Sequence, residues 1–354
     1  MDLSVLIPTF GRPDKVAACA QRLADQTLDI GRYEVLIGID GGSDDPTAAR
    51  KVEKTVRARW PAAHATNLTI VPCPKVGQAA VRNVLLDRAG GSTLVFLNDD
   101  MLPTPALLEH HLQHQQDAAA QGAPALIVGA SPWVVPEHDT LFDRLVRETS
   151  MVFFYDQMDE ALGESRVDRD HDWGFRHAWL LNLSAPAALV RDVGAFSVFP
   201  STYGYEDDEF AFRCRERFGT RVLYRADTVA HHDHRLTPRG YLDRERRLGF
   251  AAWGFAGMAP ACAREMFGRD IRRDDEITYS GEFVERERHN AERLRVTFED
   301  FANLPGDGVP SRDHPAGLPV ARALAQQHLL LKRWEWRRGL LEAARAEALH
   351  PAEA

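Results

Sequence analysis

The first hundred residues alternate strictly between short apolar segments and segments with helical spacing. The apolar segments are rich in β-branched residues, end in turn-forming residues and comprise residues 3–10, 33–40, 67–73 and 92–100. The segments between them have apolar side chains three or four positions apart and comprise residues 12–26, 47–60 and 77–89. Alternation of strand and helix is typical of a parallel sheet that helices cover on both faces. The sequence therefore predicts an α/β fold with a mostly parallel sheet.

Polar residues follow three of these predicted strands, at residues 9–12, 40–45 and 98–100. In open α/β sheets, ligands bind beyond the carboxyl ends of the strands. Because the carboxyl ends of parallel strands meet at one edge, these three segments are expected to lie together. The sequence predicts a binding site at this edge before any motif is considered.

The rest of the chain is less regular. Further helices are predicted at residues 105–121, 203–219 and 238–260, and further strands at residues 125–135 and 221–234. A Pro/Gly-rich linker at 304–319 precedes a final helix at about 320–349, whose apolar stripe contains Leu324, Leu331, Trp334 and Leu341. We predict a main domain over residues 1–265 and a helical C-terminal extension over 266–354.

Composition limits the classes of partner. The net charge of −9 disfavours nucleic acid, because binding a phosphate backbone needs a basic surface. The cysteines have no CxxC spacing, so we expect reduced thiols at Cys19, Cys73, Cys214 and Cys262. The N-terminus lacks the basic region of a signal peptide, and no segment has the roughly 20 apolar residues of a membrane span. We expect a cytoplasmic protein.

Two acidic clusters carry candidate chemistry. In LVFLNDDM, Asn98, Asp99 and Asp100 follow a buried strand, where carboxylates are costly unless paired, hydrogen-bonded or bound to a metal. Continued strand geometry would put Asp99 on the side opposite to its two neighbours. Their oxygens suit Mg²⁺ or Mn²⁺, although a turn or a helix cap uses the same residue types. In YEDDEFAFR, Glu206 and Asp207 lie near the start of a predicted helix. One of these carboxylates could serve as a general base, and the alternative is an ordinary solvated helix start.

Histidines form two further clusters. The segment HHDH, residues 231–234, ends a predicted strand and suits a metal site, with a polar strand end as the alternative. The segment EHHLQHQQ places His110 and His114 on one helix face, but no partner carboxylate or cysteine is evident, so we expect surface histidines. The loop DGGSDD, residues 40–45, lacks the G-x-G-x-x-G spacing of a dinucleotide-binding loop. Its first Asp could hydrogen-bond a base or ribose, and an ordinary turn is the alternative.

In this order, six segments resemble the motifs of family 2 glycosyltransferases with a GT-A fold: SVLIPTFGR, EVLIGIDGGSDD, GQAAVRN, LVFLNDDM, GYEDDEFAFR and AHHDH. The resemblance covers roughly residues 3–260. It implies a Rossmann-like sheet and an inverting, metal-dependent enzyme that transfers a sugar from a nucleotide-sugar, usually UDP-linked, to an acceptor hydroxyl. It also implies a nucleotide-binding half at about 1–102 and an acceptor half at about 103–265.

The resemblance implies roles for single residues. Asp207 is the expected catalytic base, with Glu206 as its partner. Asp100 is the expected ligand of Mn²⁺ or Mg²⁺, together with His232 as the first choice of histidine and His234 as the second. The residues expected to bind the nucleotide-sugar are Pro8, Thr9, Arg12, Asp40 (at the base), Gly41, Arg82, Asp99 (at the ribose or sugar), and Trp173 and Asn182 (in the sugar and acceptor pocket).

The chain departs from the family pattern at two positions. Asn98 stands where the first Asp of a D-x-D element is usual, and Gly41 stands where a second Asp is usual. The Q-x-x-R-W element of processive enzymes is missing from the sequence, so we expect transfer of one sugar per encounter. A nucleotidyltransferase acting on sugar phosphates and a non-catalytic nucleotide-sugar-binding protein are the alternatives.

The expected partners are a nucleotide-sugar donor and a saccharide or lipid-linked acceptor, as in the synthesis of cell-envelope polysaccharide. The final helix mixes Leu and Trp with Lys and Arg. It is expected to pack on the main domain or on a second subunit, and a peripheral contact at the inner face of the membrane is the alternative.

Overall fold

In the part of the chain that the structure describes, the sheet consists of eight strands. The computed structural model describes residues 1–201 and 203–349. The strands are β1 (Leu3–Thr9), β2 (Tyr33–Ile39), β3 (Leu68–Pro72), β4 (Thr93–Leu97), β5 (Met101–Pro103), β6 (Ala125–Ala130), β7 (Asn182–Pro186) and β8 (Arg221–His232). The helices are α1 (Pro13–Ala24), α2 (Pro46–Arg57), α3 (Gln78–Leu86), α4 (Leu107–Ala120), α5 (Leu141–Glu148), α6 (Tyr155–Gly163), α7 (Ala187–Asp192), α8 (Glu206–Phe218), α9 (Pro238–Met258), α10 (Pro260–Phe267), α11 (Asp274–Asp300), α12 (Gly317–Gln326) and α13 (His328–Leu349).

The strands are arranged in the order β3–β2–β1–β4–β7–β6–β8–β5. The first four strands along the chain are parallel neighbours, with Leu3 opposite Tyr33 on one side of β1 and Thr93 on the other. β6 and β8 are also parallel, whereas β7 runs antiparallel to β4 and β6, and β5 runs antiparallel to β8. The predicted mostly parallel sheet is therefore confirmed. Its consequence is that the carboxyl ends of β1, β2 and β4 lie at one edge.

The strand predicted over residues 92–100 ends early, at Leu97. Residues 98–100 form a turn in which the Met101 N–H bonds to the Asn98 carbonyl at 3.3 Å. The expectation that Asp99 and Asp100 face opposite sides is wrong, because the alternation of a strand does not continue through a turn. Both carboxylates are free to reach the same partner.

The chain divides into two compact units. The first comprises residues 1–134, 158–198 and 206–234 and contains the eight-stranded sheet. The second comprises residues 135–157, 199–205 and those from 235 onward, and contains α5 and α9 to α13. The predicted domain boundary at residue 265 remains a prediction.

In the second unit, the predicted final helix is two helices, α12 and α13. At Gln327 the N–H bonds to the carbonyl of Leu324, three residues back, so the helix tightens and ends there. Helix α13 buries Leu331 and Trp334, which are 1% and 5% exposed, against α9 and α11. The helix therefore packs on other helices of the same unit, and its expected packing on the main domain or on a second subunit stays a prediction. None of the helices in the described part of the chain is both long and apolar enough to cross a membrane.

The predicted linker at 304–319 is held by a buried side chain of α5. Arg144 donates hydrogen bonds to the carbonyls of Gly306 and Val309, at 2.9 and 2.7 Å. It is 5% exposed and also pairs with Glu148. A linker with few apolar residues is therefore anchored through its own backbone.

Candidate active site

Two neighbouring carboxylates after β4 share one guanidinium. Arg12, at the start of α1, donates from Nε and Nη2 to Asp99 and from Nη1 to Asp100, the latter at 2.8 Å. Thr9, at the end of β1, donates its hydroxyl to Asp99 at 2.7 Å. Asp99 and Asp100 are buried, while Arg12 is 41% exposed. No cation is next to these carboxylates in the sequence, and Arg12, which follows the neighbouring strand β1, supplies one in the fold.

Asp100 also faces two histidines at the end of β8. Met101 pairs with His232 across β5 and β8, which places His232 Nε2 3.6 Å from Asp100 Oδ1. His234 Nδ1 lies 3.4 Å from Asp100 Oδ2. Burial raises the pKa of Asp100, but the two histidines and Arg12 outweigh it and hold that pKa well below its usual value. The structure therefore places His232 and His234 beside the ionised carboxylate of Asp100, so that the three predicted metal ligands lie together.

The chemistry of these donors is compatible with a divalent cation. Asp100 Oδ1 is buried and accepts no hydrogen bond from any residue that the structure describes. A buried acceptor without a donor is costly unless a cation satisfies it. The three side chains are nevertheless not closed into a ligand set, since residues 1–201 and 203–349 contain no group of three or more such side chains placed to hold a metal ion.

A second cation, Arg82 of α3, joins the end of β4 to the start of α8. Its Nη1 lies 3.3 Å from Glu206 Oε1, and its Nη2 donates to Asn98 Oδ1 at 3.1 Å. Gln78 donates to the same oxygen of Glu206. Arg82 and Glu206 are 1% and 5% exposed. Asn98, where the chain departs from the family pattern, is thus a neutral acceptor for a buried cation whose charge Glu206 already balances.

Asp207 lies beside this network, in the first turn of α8. The cations near this helix start pair with its neighbours Glu206 and Glu209. Asp207 accepts the N–H of Asp208 at 3.0 Å. Burial of the carboxyl group, together with the charge of Glu206, raises the pKa of Asp207 to about 7. A carboxyl group with such a pKa exchanges its proton near neutral pH, which a general base requires.

At the end of β2, Asp40 is held by the loop that follows β3. Its Oδ1 accepts the N–H groups of Val76 and Gly77, at 2.7 and 3.1 Å, and Lys75 Nζ lies 2.5 Å from its Oδ2. The same ammonium lies 3.3 Å from the centroid of the Phe10 ring. Phe10 is 59% exposed. The predicted nucleotide edge therefore presents an aromatic ring and a cation above a buried carboxylate.

Gly41 and Pro8 have backbone roles at this edge. Gly41 has φ +78°, in the left-handed region where an Asp is strained, which accounts for glycine at this position. Pro8 is buried in β1 opposite Gly38. Their expected contacts with a nucleotide remain predictions.

Asn182 and Trp173 occupy different environments. Asn182 is fully buried: its Nδ2 donates to the carbonyls of Ala130 and Thr228, both at 3.0 Å, and its Oδ1 lies 2.9 Å from His111 Nε2. Because its amide is fully used inside the protein, we do not retain Asn182 in the sugar pocket. Trp173 is half-buried, its indole N–H has no hydrogen-bond partner among the described residues, and its role as a pocket residue remains a prediction.

The prediction of surface histidines on α4 is wrong for His114, which is 4% exposed. Its Nε2 lies 2.9 Å from the carboxylate of Asp227, and His110 Nδ1 lies 2.7 Å from the carbonyl of the same residue. The partner carboxylate is 113 positions away from His114 in sequence. No local pattern could have shown it.

Sequence reasoning missed three residues of this edge: Phe10, Lys75 and Gln78. The rule that ligands bind beyond the carboxyl ends of parallel strands selects the loops after β1, β2 and β4, and Phe10 lies in the first of these. Applied to β3 as well, the same rule selects the loop that carries Lys75 and leads to Gln78. All four cysteines are buried thiols.

Comparisons with known proteins bear on the family of the chain. Residues 4–183 match the model of glycosyl transferase family 2. Glycosyltransferase AglE of Haloferax volcanii is 26% identical over 194 residues, which are 55% of each chain, so this chain spans about half the length of that curated relative.

Two solved structures show a distant likeness. S. aureus TarS 1–349 in complex with UDP-GlcNAc has a TM-score of 0.47 and 14% identity, over 98% of this chain and 92% of that one. The mannosyltransferase PcManGT from Pyrobaculum calidifontis, in complex with GDP-Man and Mn²⁺, has a TM-score of 0.48 and 17% identity, over 99% and 88%. Because the family model matches half of its length, the chain belongs to glycosyl transferase family 2.

Proposed function

We propose that the protein is an inverting transferase that uses a nucleotide-sugar, with Asp207 as its general base and Asp100 serving the donor diphosphate. The observation that carries the proposal is the contrast between these two carboxyl groups. The pKa of Asp207 is raised to about 7, whereas that of Asp100 is held well below its usual value. A base must exchange a proton at the working pH, and a group that attracts a cation must stay ionised. The two acidic clusters therefore have separate tasks.

In the proposed reaction, the acceptor hydroxyl attacks the sugar carbon on the side opposite the nucleoside diphosphate. Asp207 takes the hydroxyl proton while the new carbon–oxygen bond forms and the bond to the diphosphate breaks. Proton transfer of this kind contributes about 10²–10⁴-fold to the rate. Glu206, bonded to Arg82 and Gln78, supports the start of α8 and raises the pKa of its neighbour through its charge.

The diphosphate is expected at the exposed guanidinium of Arg12, which Asp99 and Asp100 hold in place. Fixed positive groups stabilise the negative charge that develops on a leaving phosphate. Asp100, His232 and His234 are the residues that would hold Mn²⁺ or Mg²⁺, and the unsatisfied Oδ1 of Asp100 supports this choice. When bound, the ion would offset the same developing charge.

The nucleoside is expected at the end of β2. An aromatic ring with an exposed face stacks on any nucleobase, and Phe10 supplies such a ring next to Lys75. Asp40 is satisfied by the loop after β3 and therefore supports Lys75, which is itself half exposed. We propose a UDP-linked donor on the basis of the family resemblance, which usually implies a UDP-linked sugar.

A donor panel tests the proposal directly. UDP-, GDP- and dTDP-sugars are incubated with the protein, with Mn²⁺ or with EDTA, and release of nucleoside diphosphate is measured beside donor binding by calorimetry. We expect binding and release with at least one donor, and loss of release in EDTA. If no donor binds, the proposal is wrong; if a donor binds but releases no nucleoside diphosphate, either alone or with a panel of saccharide acceptors, the non-catalytic alternative is favoured.

Two neighbouring variants test the base. Asp207→Asn is expected to keep donor affinity and to lose turnover by about 10²–10⁴-fold. Asp208→Asn is the matched control, since burial and the charge of Asp207 raise the pKa of Asp208 well above its usual value and so favour its neutral form. An amide replaces a neutral carboxyl there, so turnover should persist. Equal turnover in both variants would remove Asp207 from the mechanism.

A further inference from the structure

The pairing of β6 with β8 contains a bulge. The strands are in register from Ala125↔Arg221 to Gly129↔Arg225, and the next pair is Ala130↔Val229. Residues 226–228 of β8 are therefore extra to the ladder with β6. Such insertions shift the register of every residue beyond them. In β8, the shifted residues are those of the segment that ends in His232.

Asn182 holds this bulge on its buried side. Its Nδ2 donates to the carbonyl of Thr228 in the bulge and to the carbonyl of Ala130 in β6. Two carbonyls around one amide nitrogen fix the orientation of the amide, so Oδ1 must accept from His111 Nε2. His111 Nδ1 then accepts from the Ser184 hydroxyl at 2.9 Å. Every polar atom in this chain of contacts has one defined role.

Two more histidines of α4 hold the preceding residue of the bulge. His110 Nδ1 donates to the Asp227 carbonyl, and His114 Nε2 lies 2.9 Å from the Asp227 carboxylate. The motif EHHLQHQQ therefore contacts two consecutive bulge residues, directly at Asp227 and through Asn182 at Thr228. This is a structural use for histidines that the proposed reaction does not need.

The packing around the bulge leaves no free space. A Cβ added at Gly129 would lie 2.2 Å from the Thr228 carbonyl oxygen and 2.4 Å from Asn182 Nδ2. His111, Asn182 and Thr228 are all 0% exposed. The backbone of β6 thus approaches the bulge as closely as glycine permits.

Beyond the bulge, β8 pairs with β5, which places His232 opposite Met101 and next to Asp100. Side chains alternate along a strand, so a slip of one residue would turn His232 to the other face. We infer that Asn182, oriented by the carbonyls of Ala130 and Thr228, is a positioning residue that clamps the β8 bulge and so sets the register in which His232 meets Asp100. The link to a metal rests on the proposed function; the link to the register does not.

The test compares Asn182→Ala with Ser184→Ala in the full chain. Ser184 lies on the same strand, is equally buried and contacts the same histidine, but it does not contact the bulge. Hydrogen exchange is measured for the amides of residues 229–234, and Mn²⁺ affinity is measured by electron paramagnetic resonance. Asn182→Ala should speed exchange in this segment at least tenfold and weaken Mn²⁺ binding about 10–100-fold, the usual effect of losing a residue behind a metal ligand. Ser184→Ala should leave both within about twofold of the wild type.

Three outcomes are decisive. Equal effects of the two variants, or unchanged exchange at 229–234 in Asn182→Ala, would overturn the inference. Absence of Mn²⁺ binding in the wild type would contradict the proposed metal site, while the exchange comparison would still decide the register. If Asn182→Ala does not fold, His110→Ala, on the half-buried side of the same bulge, is compared with Ser184→Ala for a smaller effect in the same direction.

Discussion

At the scale of single residues, the site depends on how burial and neighbouring charges separate two kinds of carboxyl group. Asp100 is buried beside Arg12 and two histidines and stays ionised. Asp207 is half-buried, and desolvation together with the charge of the neighbouring Glu206 disfavours its ionised form. Identical side chains thus acquire opposite protonation behaviour from desolvation and from their neighbours.

The raised pKa of Asp207 predicts the pH dependence of turnover. If the ionised form accepts the acceptor proton, kcat/KM should rise about tenfold per pH unit in acid and level off above pH 7, with an apparent pKa near 7. Initial rates from pH 5 to 9 at a low donor concentration measure this profile. The residual rate of Asp207→Asn should lack the acid limb, and a wild-type limb near pH 4 would contradict the assignment.

The same shift predicts a pH-dependent stability difference. At pH values between the usual pKa of an aspartate and about 7, Asp207 keeps its proton in the folded protein and releases it in the unfolded chain. This group therefore lowers the free energy of unfolding progressively as the pH rises through that range. Asp207→Asn removes this effect. The variant should therefore melt at a higher temperature than the wild type at pH 8, and the gap should close towards pH 4.

An exposed aspartate is the control for that comparison. Asp275, which bonds to Arg273 at the surface, is 68% exposed. Asp275→Asn should stay within about 0.5 kcal/mol of the wild-type stability at both pH values. A higher melting temperature for this variant at pH 8 would show that the gain in Asp207→Asn reflects net charge and not burial.

At the scale of secondary-structure elements, success in prediction depended on how local the cause of each feature is. The alternation of β1 to β4 with α1 to α3 follows from the spacing of apolar residues within each segment. Because ligands bind beyond the carboxyl ends of parallel strands, this alternation also predicts that Thr9, Asp40 and Asp100 lie at one edge of the sheet. The turn after Leu97 could not be predicted, because the same apolar residues precede the polar ones whether the strand continues or ends there. Asp99 meets Arg12 across 87 positions, and Glu206 meets Gln78 across 128, so these pairings depend on the folded sheet.

The register of β8 shows the limit of sequence reasoning most clearly. Strand propensity extends through residues 221–234, and nothing in that run marks residues 226–228 as extra. The bulge is specified by side chains from α4 and β7, which are distant in sequence. Histidines without a local partner were therefore interpreted as surface residues, and Asn182 as a ligand contact.

The crossing of α9 and α13 gives a prediction on packing. A Cβ at Gly249 would lie 1.8 Å from the carbonyl oxygen of Trp336, a backbone atom that cannot rotate away. Gly249→Ala should therefore force the helices apart and cost about 1–3 kcal/mol of stability or more. Urea unfolding followed by circular dichroism measures the change.

Helix α11 provides the matched control for this substitution. A Cβ at Gly281 would have nothing within 4 Å. Gly281→Ala should stabilise the protein by about 1 kcal/mol, because alanine favours a helix interior more than glycine does. A similar response of both variants would mean that the crossing of α9 and α13 is not as close as the structure shows.

At the scale of the whole molecule, the charge and the burial of α13 bear on membrane association. A peripheral helix needs an apolar face that can enter the lipid surface. Four large apolar residues of α13 are turned inward, since Leu331, Trp334, Leu340 and Leu341 are at most 7% exposed. The net charge of −9 also opposes binding to anionic lipid.

We therefore predict that the full chain will not float with vesicles of phosphatidylcholine, with or without anionic lipid. A chain ending at residue 304 should instead lose stability, because it uncovers the face of α9 at Gly249 and leaves Arg144 without the carbonyls of Gly306 and Val309. A chain ending at residue 349 is the control, since it keeps both contacts, and it should unfold as the full chain does. Flotation of the full chain that is lost on truncation at 304, with unchanged thermal unfolding, would show that α13 serves the membrane and not the fold.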